Sequence, residues 1–349
     1  MKRIAIMMPT LGKGGAEKQG IQLLNALGER YRIQLIITYP EVGYDSELLS
    51  SITSDNYEIY KLRGSTLRRL MSIYNILREY KTDVMFCYLT WPDFYGPIIG
   101  KLAGVSKIYQ GIRNVYLPES KLRYELIGNK FATGAVINNY AGVEIFKKAG
   151  IKNMTVIPNC YPNIQDFYKR PKRNEVRIIT VARFVEQKDY YTALSVIANV
   201  KEQAPNIKYW ILGYGELESQ IRLWISELNL NDTVSVFINP HGIQNYLEES
   251  DIYLSTSLFE GTSNSIMEAM DASLPVVTTN AGDNDRLVKD GLNGFCTMCG
   301  DVASLSNALM KLVLSYDMRI NMGYKGHELL CENYSFSKFK EYYLKLLND

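Results

Sequence analysis

Apolar and polar positions set out the same plan twice along this chain. Short apolar runs at residues 4–8, 33–38, 84–88, 108–112 and 135–137 each end in turn residues, which predicts strands covered on both faces. Between them apolar side chains fall at helical spacing, as in Ile21/Leu24/Leu27, Leu67/Leu70/Tyr74/Leu77 and Leu122/Leu126. Strand–helix alternation of this kind predicts a parallel sheet. The pattern breaks into proline and asparagine at 157–163 and into charge at 169–174, which reads as an interdomain linker. It then restarts with strands at 176–181, 207–212, 234–238, 252–255 and 276–278 and helices over 188–203 and 215–228. Residues 334–347 read as a last amphipathic helix. No internal repeat or low-complexity tract interrupts the pattern.

A length of 349 residues fits two domains, placed here at 1–162 and 163–333 with the helix 334–349 after them. A hydrophobic content of 46% is enough for packed cores and argues against disorder. No apolar run approaches the ~18 residues of a spanning helix. The N-terminus has the charge-then-apolar order of a signal peptide, but its apolar part is too short and no small-residue cleavage site follows. It is expected to be the first strand of a cytosolic protein.

The five cysteines are an odd number in a large chain and fit reduced thiols. Cys296 and Cys299 form a lone CxxC with His241 and His327 distant, so no metal is expected there, only small buried residues at a strand end. The net charge of +2 hides an imbalance: residues 1–165 hold 21 Lys+Arg against 13 Asp+Glu, a net +8, and the remainder nets −6. A basic first half suits an anionic partner such as a membrane surface, a phospholipid or a diphosphate. No nucleic-acid motif is visible, and no nucleic-acid partner is expected. Lys61, Arg63, Arg68, Arg69, Arg78 and Lys81 flank a helical stripe; a solvated face and a membrane-docking patch account for them equally well.

Candidate chemistry concentrates in residues 251–278. A strand at 252–255 feeds a small polar loop, Ser257 to Asn264, which holds several N-cap residues before a helix at 265–270. A strand end followed by a helix start offers free backbone N–H groups to an anion. Glu260 lies in the loop, and Glu268 lies one turn into the helix on the ridge of Asn264. Either acid alone has an ordinary reading, stabilisation by the helix dipole. Arg183 and Lys188 follow the strand 176–181, and two cations five apart can hold a diphosphate from two sides. After the first strand, Gly12-Lys13-Gly14-Gly15-Ala16-Glu17 leads into a helix. It matches neither a dinucleotide fingerprint nor a Walker loop; a glycine turn and a phosphate cradle both fit it.

Taken together, Phe259-Glu260-Gly261 through Glu268-Ala269, with Pro275-Val276-Val277 beyond, closely resembles the E-x7-E signature of family 4 glycosyltransferases. Gly14-Gly15-Ala16-Glu17 and the Arg183…Lys188 pair are similar to that family's other signatures. The resemblance implies an α/β protein of GT-B fold, with two Rossmann-like domains facing across a cleft and the last helix packed back on the first domain. It implies a retaining transferase that moves a hexose or N-acetylhexosamine from a UDP-sugar, or a GDP-sugar, to a lipid-linked saccharide. Such an enzyme would act in surface polysaccharide biosynthesis on the inner face of the plasma membrane. Arg183, Lys188 and the helix start at Gly261, Thr262, Ser263 and Asn264 would hold the diphosphate, helped by the amides of Gly14 and Gly15.

In the same way, Glu268 would take the ribose hydroxyls, Glu260 the sugar hydroxyls, and Gly213 would border the base, although a plain helix-start turn explains Gly213 as well. Many relatives place a histidine near position 113 to touch the sugar; here Arg113-Asn114 stands instead, and Arg113 would face sugar or acceptor. No cofactor is implied. Asp283-Asn284-Asp285 resembles the turn after the Pro-Val-Val strand, a capping cluster rather than a site for Mg²⁺. Two other readings fit a GT-B chain: a catalytically idle nucleotide-sugar-binding partner, and a nucleotide-sugar epimerase.

Overall fold

The computed structural model describes residues 2–12 and 14–348. Met1, Asp349 and Lys13, the last a position in the glycine loop, lie outside the described residues. Contacts divide the chain into two units, Met1–Pro162 with Phe336–Asp349, and Asn163–Ser335.

The first unit is a seven-stranded sheet built from β1 (Arg3–Met8), β2 (Arg32–Ile37), β3 (Tyr57–Lys61), β4 (Val84–Cys87), β5 (Lys107–Ile112), β6 (Gly134–Ile137) and β7 (Met154–Val156). Its order is β3-β2-β1-β4-β5-β6-β7 and every pairing is parallel. The apolar run of β1 serves both faces of this sheet. Ile4, Ile6 and Met8 pack with Ile21, Leu24 and Leu27 of the helix Gly15–Gly28, while Ala5 and Met7 pack with Ile73, Leu77 and Ile99 on the opposite side. The last helix, Phe336–Asn348, belongs to this unit. It buries Phe339, Tyr343, Leu346 and Leu347 in the core that holds Ile4 and Phe86. Four such side chains stabilise by roughly 6–10 kcal/mol as an upper bound.

The second unit repeats the plan with β8 (Val176–Val181), β9 (Ile207–Gly213), β10 (Val234–Ile238), β11 (Ile252–Ser255), β12 (Val276–Thr279) and β13 (Gly294–Thr297), in the order β10-β9-β8-β11-β12-β13, again parallel throughout. In each unit the order reverses once, between β1 and β4 and between β8 and β11. A crevice opens outside the carboxyl ends of the strands at such a reversal, and ligands of open α/β sheets bind there.

Four features depart from the sequence reading. Strands β3, β7 and β13 carry no continuous apolar run, because each is an edge strand with its side chains only partly covered. Helix 188–203 begins at Tyr190, after a 3₁₀ turn at Glu186–Lys188, and helix 215–228 is Glu218–Glu227. Leu67 does not join the buried stripe of the helix Thr66–Glu79; it is exposed. Residues 169–174 are not a free linker. Arg170 is buried in the second unit and donates to the carbonyls of Ser250 (2.5 Å), Ser273 (2.8 Å), Leu247 (3.2 Å) and Ala272. Those carbonyls lie at or just past the C-terminal ends of the helices Ile243–Glu248 and Asn264–Asp271, where unsatisfied oxygens and the helix dipole favour a cation.

Candidate functional site

The reversal point of the second unit gathers its charged side chains. Past the end of β8, residues 182–184 lie against the turn after β9: Phe184 N donates to Tyr214 O (2.7 Å) and Leu217 N to Phe184 O (3.0 Å). Gly213 allows this approach, since a Cβ there would collide with the Ala182 carbonyl oxygen. Arg183 is exposed on this segment, and its guanidinium has no hydrogen bond or ion pair among the described residues. The following residues are zipped to the loop after β11. Leu258 N donates to Gln187 O (2.8 Å), Gln187 Nε2 to Phe259 O (2.6 Å), and Thr256 Oγ1 to Lys188 O (3.0 Å) and Asp189 O (2.9 Å).

Across this zipper the Lys188 ammonium forms an ion pair with a Glu260 carboxylate oxygen, both side chains being nearly covered, 14% and 10% exposed. The sequence reading treats Lys188 as a cation free for phosphate. Here its charge is already balanced, so a diphosphate bound at this place would have to share it. Gly282 fixes the other side of Glu260: its φ is +60°, and a Cβ at that position would collide with the Glu260 carbonyl oxygen. Thr262 and Ser263 are buried, and Ser263 caps the helix Asn264–Asp271 by accepting from Ile266 N (3.5 Å). Glu268 stands half-buried in that helix. The Tyr253 hydroxyl of β11 is fully buried and donates to Val181 O (3.2 Å). Burial pushes its pKa up, and the charges of Glu268 and Glu260 push it further, which places both acids near the junction of β8 and β11.

Two lesser expectations change. Cys296 lies in β13 and is half-buried, but Cys299 is exposed, with its thiol near the carbonyls of Ser257 (3.6 Å) and Leu258 (3.7 Å). The pair is therefore not a buried strand end. Asp283 does occupy the N-cap position of the short helix Asn284–Leu287, without a side-chain cap bond. Among the described residues no three His, Cys, Asp or Glu side chains are grouped as metal ligands.

In the first unit the glycine loop follows β1. Gly14 is the N-cap of the helix Gly15–Gly28 with φ −70°, and neither Gly14 nor Gly15 has a positive φ. A Cβ at 14 would meet only the movable carboxylate end of Glu17, which accepts from Thr10 Oγ1 (2.8 Å). Arg113, past β5, lies over the Tyr88 ring (4.5 Å) and donates to the Tyr343 hydroxyl of the last helix (3.3 Å). Its Nε and Nη1, the Tyr88 hydroxyl and one Asp93 oxygen are buried without hydrogen-bond partners among the described residues.

Sequence reasoning missed the acids beside Arg113. Asp93 is fully buried and accepts from Gly111 N (2.8 Å), and Gln110 bridges it to Glu125 through Asp93 O (3.0 Å) and Glu125 Oε2 (3.3 Å). Burial pushes Asp93 up to about 7, and burial together with the Asp93 charge pushes Glu125 up to about 10. The available signal was a single acid inside the apolar stretch of the helix Thr90–Ala103. The cations around the helix Thr66–Glu79 also divide. Arg69 is buried and bonded to Thr38 O, Gly64 O and Glu41; Lys61 and Arg63 lie near the helix start; Arg78 and Lys81 lie at its far end.

Comparison with known proteins agrees with this geometry. Residues 163–329 match the family described as glycosyl transferases group 1. The chain is 24% identical over 347 residues to the lipopolysaccharide core biosynthesis glycosyltransferase LpsE of Rhizobium meliloti, covering 96% of both proteins. It is 24% identical over 271 residues to the UDP-Gal:alpha-D-GlcNAc-diphosphoundecaprenol alpha-1,3-galactosyltransferase of Escherichia coli, covering 70% of each. Anabaena Alr3699/HepE, solved in complex with UDP and glucose, superposes with a TM-score of 0.85 at 18% identity over 100% of both chains. TarM superposes with a TM-score of 0.83 at 15% identity over 100% of this chain and 99% of that one. The fold is therefore GT-B, with two Rossmann-like units, and residues 163–329 are similar to the group 1 glycosyltransferases.

Proposed function

We propose that this chain is a retaining, metal-independent glycosyltransferase. It moves a hexose or N-acetylhexosamine from a nucleotide-diphosphate sugar, UDP-linked by preference, to a lipid-linked saccharide in surface polysaccharide biosynthesis, and it works as a peripheral protein on the inner face of the plasma membrane. The observation that carries this reading is the Lys188–Glu260 ion pair at the reversal point of the second unit, with Arg183 on the same loop. The Escherichia coli relative, whose name specifies UDP-Gal and a diphosphoundecaprenol-linked acceptor, supports the donor and acceptor classes, and the UDP complexes of HepE support the base.

In the reaction the bond from the anomeric carbon to the diphosphate breaks, and the acceptor oxygen bonds to the same face of the sugar. The acceptor proton passes to the departing phosphate oxygen. Arg183, Lys188 and the backbone N–H groups at Gly261, Thr262, Ser263 and Asn264 stabilise the charge that grows on the leaving group. Gly14 and Gly15 offer further amides to that diphosphate. Glu260 orients the sugar hydroxyls, Glu268 accepts from both ribose hydroxyls, Gly213 borders the base and Arg113 faces the acceptor. Incubation with UDP-sugars and an undecaprenyl diphosphate-linked saccharide, followed by NMR of the product, tests the proposal. It predicts a new glycosidic bond with the anomeric configuration of the donor. An inverted product removes the retaining mechanism, an epimerised donor without acceptor makes the chain an epimerase, and donor binding without turnover makes it an idle partner.

A further inference from the structure

Two buried acids of the first unit have no part in the reaction proposed above. Asp93 lies in the first turn of the helix Thr90–Ala103 and is fully buried. Its carboxylate does not cap that helix. It turns to the neighbouring strand, where Oδ1 accepts from Gly111 N (2.8 Å), two residues before Arg113. Glu125 is buried on the helix Glu119–Asn129, and the Gln110 amide joins it to Asp93, donating to Asp93 O (3.0 Å) and to Glu125 Oε2 (3.3 Å). Gly128 lets that helix approach: a Cβ there would collide with the Asp93 carbonyl oxygen.

Two acids this close and this deeply buried do not both ionise at neutral pH. Burial and the Asp93 charge push Glu125 up to about 10. Burial pushes Asp93 up less far, to about 7, because the Gly111 N–H and the Arg113 charge pull it back. Between about pH 7 and 10 the pair therefore holds one negative charge, and that charge sits on Asp93. Cys87 and Tyr88, which also face this pocket of charge, stay neutral because burial pushes both well up.

Arg113 makes no direct ion pair among the described residues, and Asp93 is the carboxylate whose charge acts on it. The guanidinium lies 4.5 Å from the centroid of the Tyr88 ring, and Nη2 donates to the Tyr343 hydroxyl (3.3 Å). Its Nε and Nη1 and the second oxygen of Asp93 are buried with no hydrogen-bond partner among the described residues. An ionised acid whose pKa is raised costs the fold stability, and buried polar atoms with unmade bonds cost more. Such costs collect where a charge is used.

We infer that Asp93 is a positioning residue: anchored on Gly111 N, its carboxylate holds the Arg113 guanidinium in place toward the acceptor. Glu125 supports this by keeping the proton and leaving the charge to Asp93. The inference rests on the proposed place of Arg113 at the acceptor. Asp93 itself touches no substrate.

The test is a double-mutant cycle in the full chain, with a UDP-sugar and an undecaprenyl diphosphate-linked saccharide. Asp93→Asn keeps an acceptor for Gly111 N and removes only the charge; Arg113→Gln removes the cation. Each should raise the acceptor KM about 10-fold or more, with the donor KM and UDP affinity within about 2-fold of the parent. In the Arg113→Gln background, Asp93→Asn should add less than about 2-fold. The acceptor kcat/KM of the parent should fall as pH is lowered through about 7, and Asp93→Asn should lack that limb. Melting curves accompany each variant, and Asp93→Ser stands in if the asparagine chain does not fold. An unchanged acceptor KM in Asp93→Asn, additive losses in the double variant, or an unaltered pH limb overturns the inference. If Arg113→Gln alone still raises the acceptor KM, the proposed function stands without it. No transfer by the parent chain with any donor removes the proposed function and this inference together.

Discussion

Replacing Glu260 by alanine should move stability, nucleotide affinity and turnover in different directions. In the free protein Lys188 and Glu260 neutralise one another while nearly covered. Exposed pairs contribute about 0.2–1 kcal/mol, and breaking a buried pair costs about 3–5, so removing Glu260 from this intermediate setting should cost about 2 kcal/mol. For a unit of this size that lowers the melting temperature by about 4–8 °C. Glu260→Gln keeps an acceptor for the ammonium and should lose about half as much. The freed ammonium no longer has to be shared, so bare UDP should bind about 5-fold more tightly to the alanine variant, a gain of roughly 1 kcal/mol. Transfer should nevertheless fall by about 10–100-fold, because the carboxylate proposed to orient the sugar is gone. Calorimetric titration with UDP beside a melting curve and a transfer assay reads all three. An alanine variant with unchanged melting and unchanged UDP affinity would refute the idea that the carboxylate and the diphosphate compete for Lys188.

Arg183→Ala should lower transfer by one to two decades with the melting temperature unchanged, because the side chain is exposed, has no partner among the described residues and is proposed to hold the diphosphate; kinetics and a melting curve check it. Gly282→Ala should destabilise the second unit by about 1–3 kcal/mol in urea and weaken donor binding, since the new Cβ displaces the Glu260 backbone. Arg170→Met should cost about 3–5 kcal/mol in the same titration, because it strips four helix-end carbonyls of their donor. Asp93 and Glu125 have folded pKa values raised above their unfolded ones, so the folded state holds the extra protons. Their contribution to stability is complete below about pH 4 and is lost as pH rises, through about 7 for Asp93 and towards about 10 for Glu125. Asp93→Asn should flatten the decline in melting temperature between about pH 5 and 8.

Where apolar runs were continuous, the strands were legible in the sequence, because a parallel strand buried on both faces has no polar side to show. That holds for β1, β8 and β11, and it fails at β3, β7 and β13, whose outer edges meet solvent. The helix Phe336–Asn348 was visible as a pattern, but its place in the first unit rested on resemblance, since periodicity says nothing about which core an apolar stripe enters. Charge was harder to place. Arg170 looked like part of a polar linker and is buried against helix ends, and Arg69 looked like one more surface cation and is a tie between loops. A sequence gives the identity of a cation, but the carbonyls that receive it are assembled only in the fold. For the same reason Lys188 and Glu260, 72 residues apart, were each marked for the donor, while their contact with one another was not.

The most direct measurement is the affinity of UDP for the intact chain and for the Arg183→Ala/Lys188→Ala variant. If the loop after β8 holds the diphosphate, UDP binds the parent chain and the double substitution weakens it by about 100-fold or more, while melting shows the variant still folded. Equal affinity in the two proteins, or no affinity of the parent chain for any nucleoside diphosphate, would contradict it.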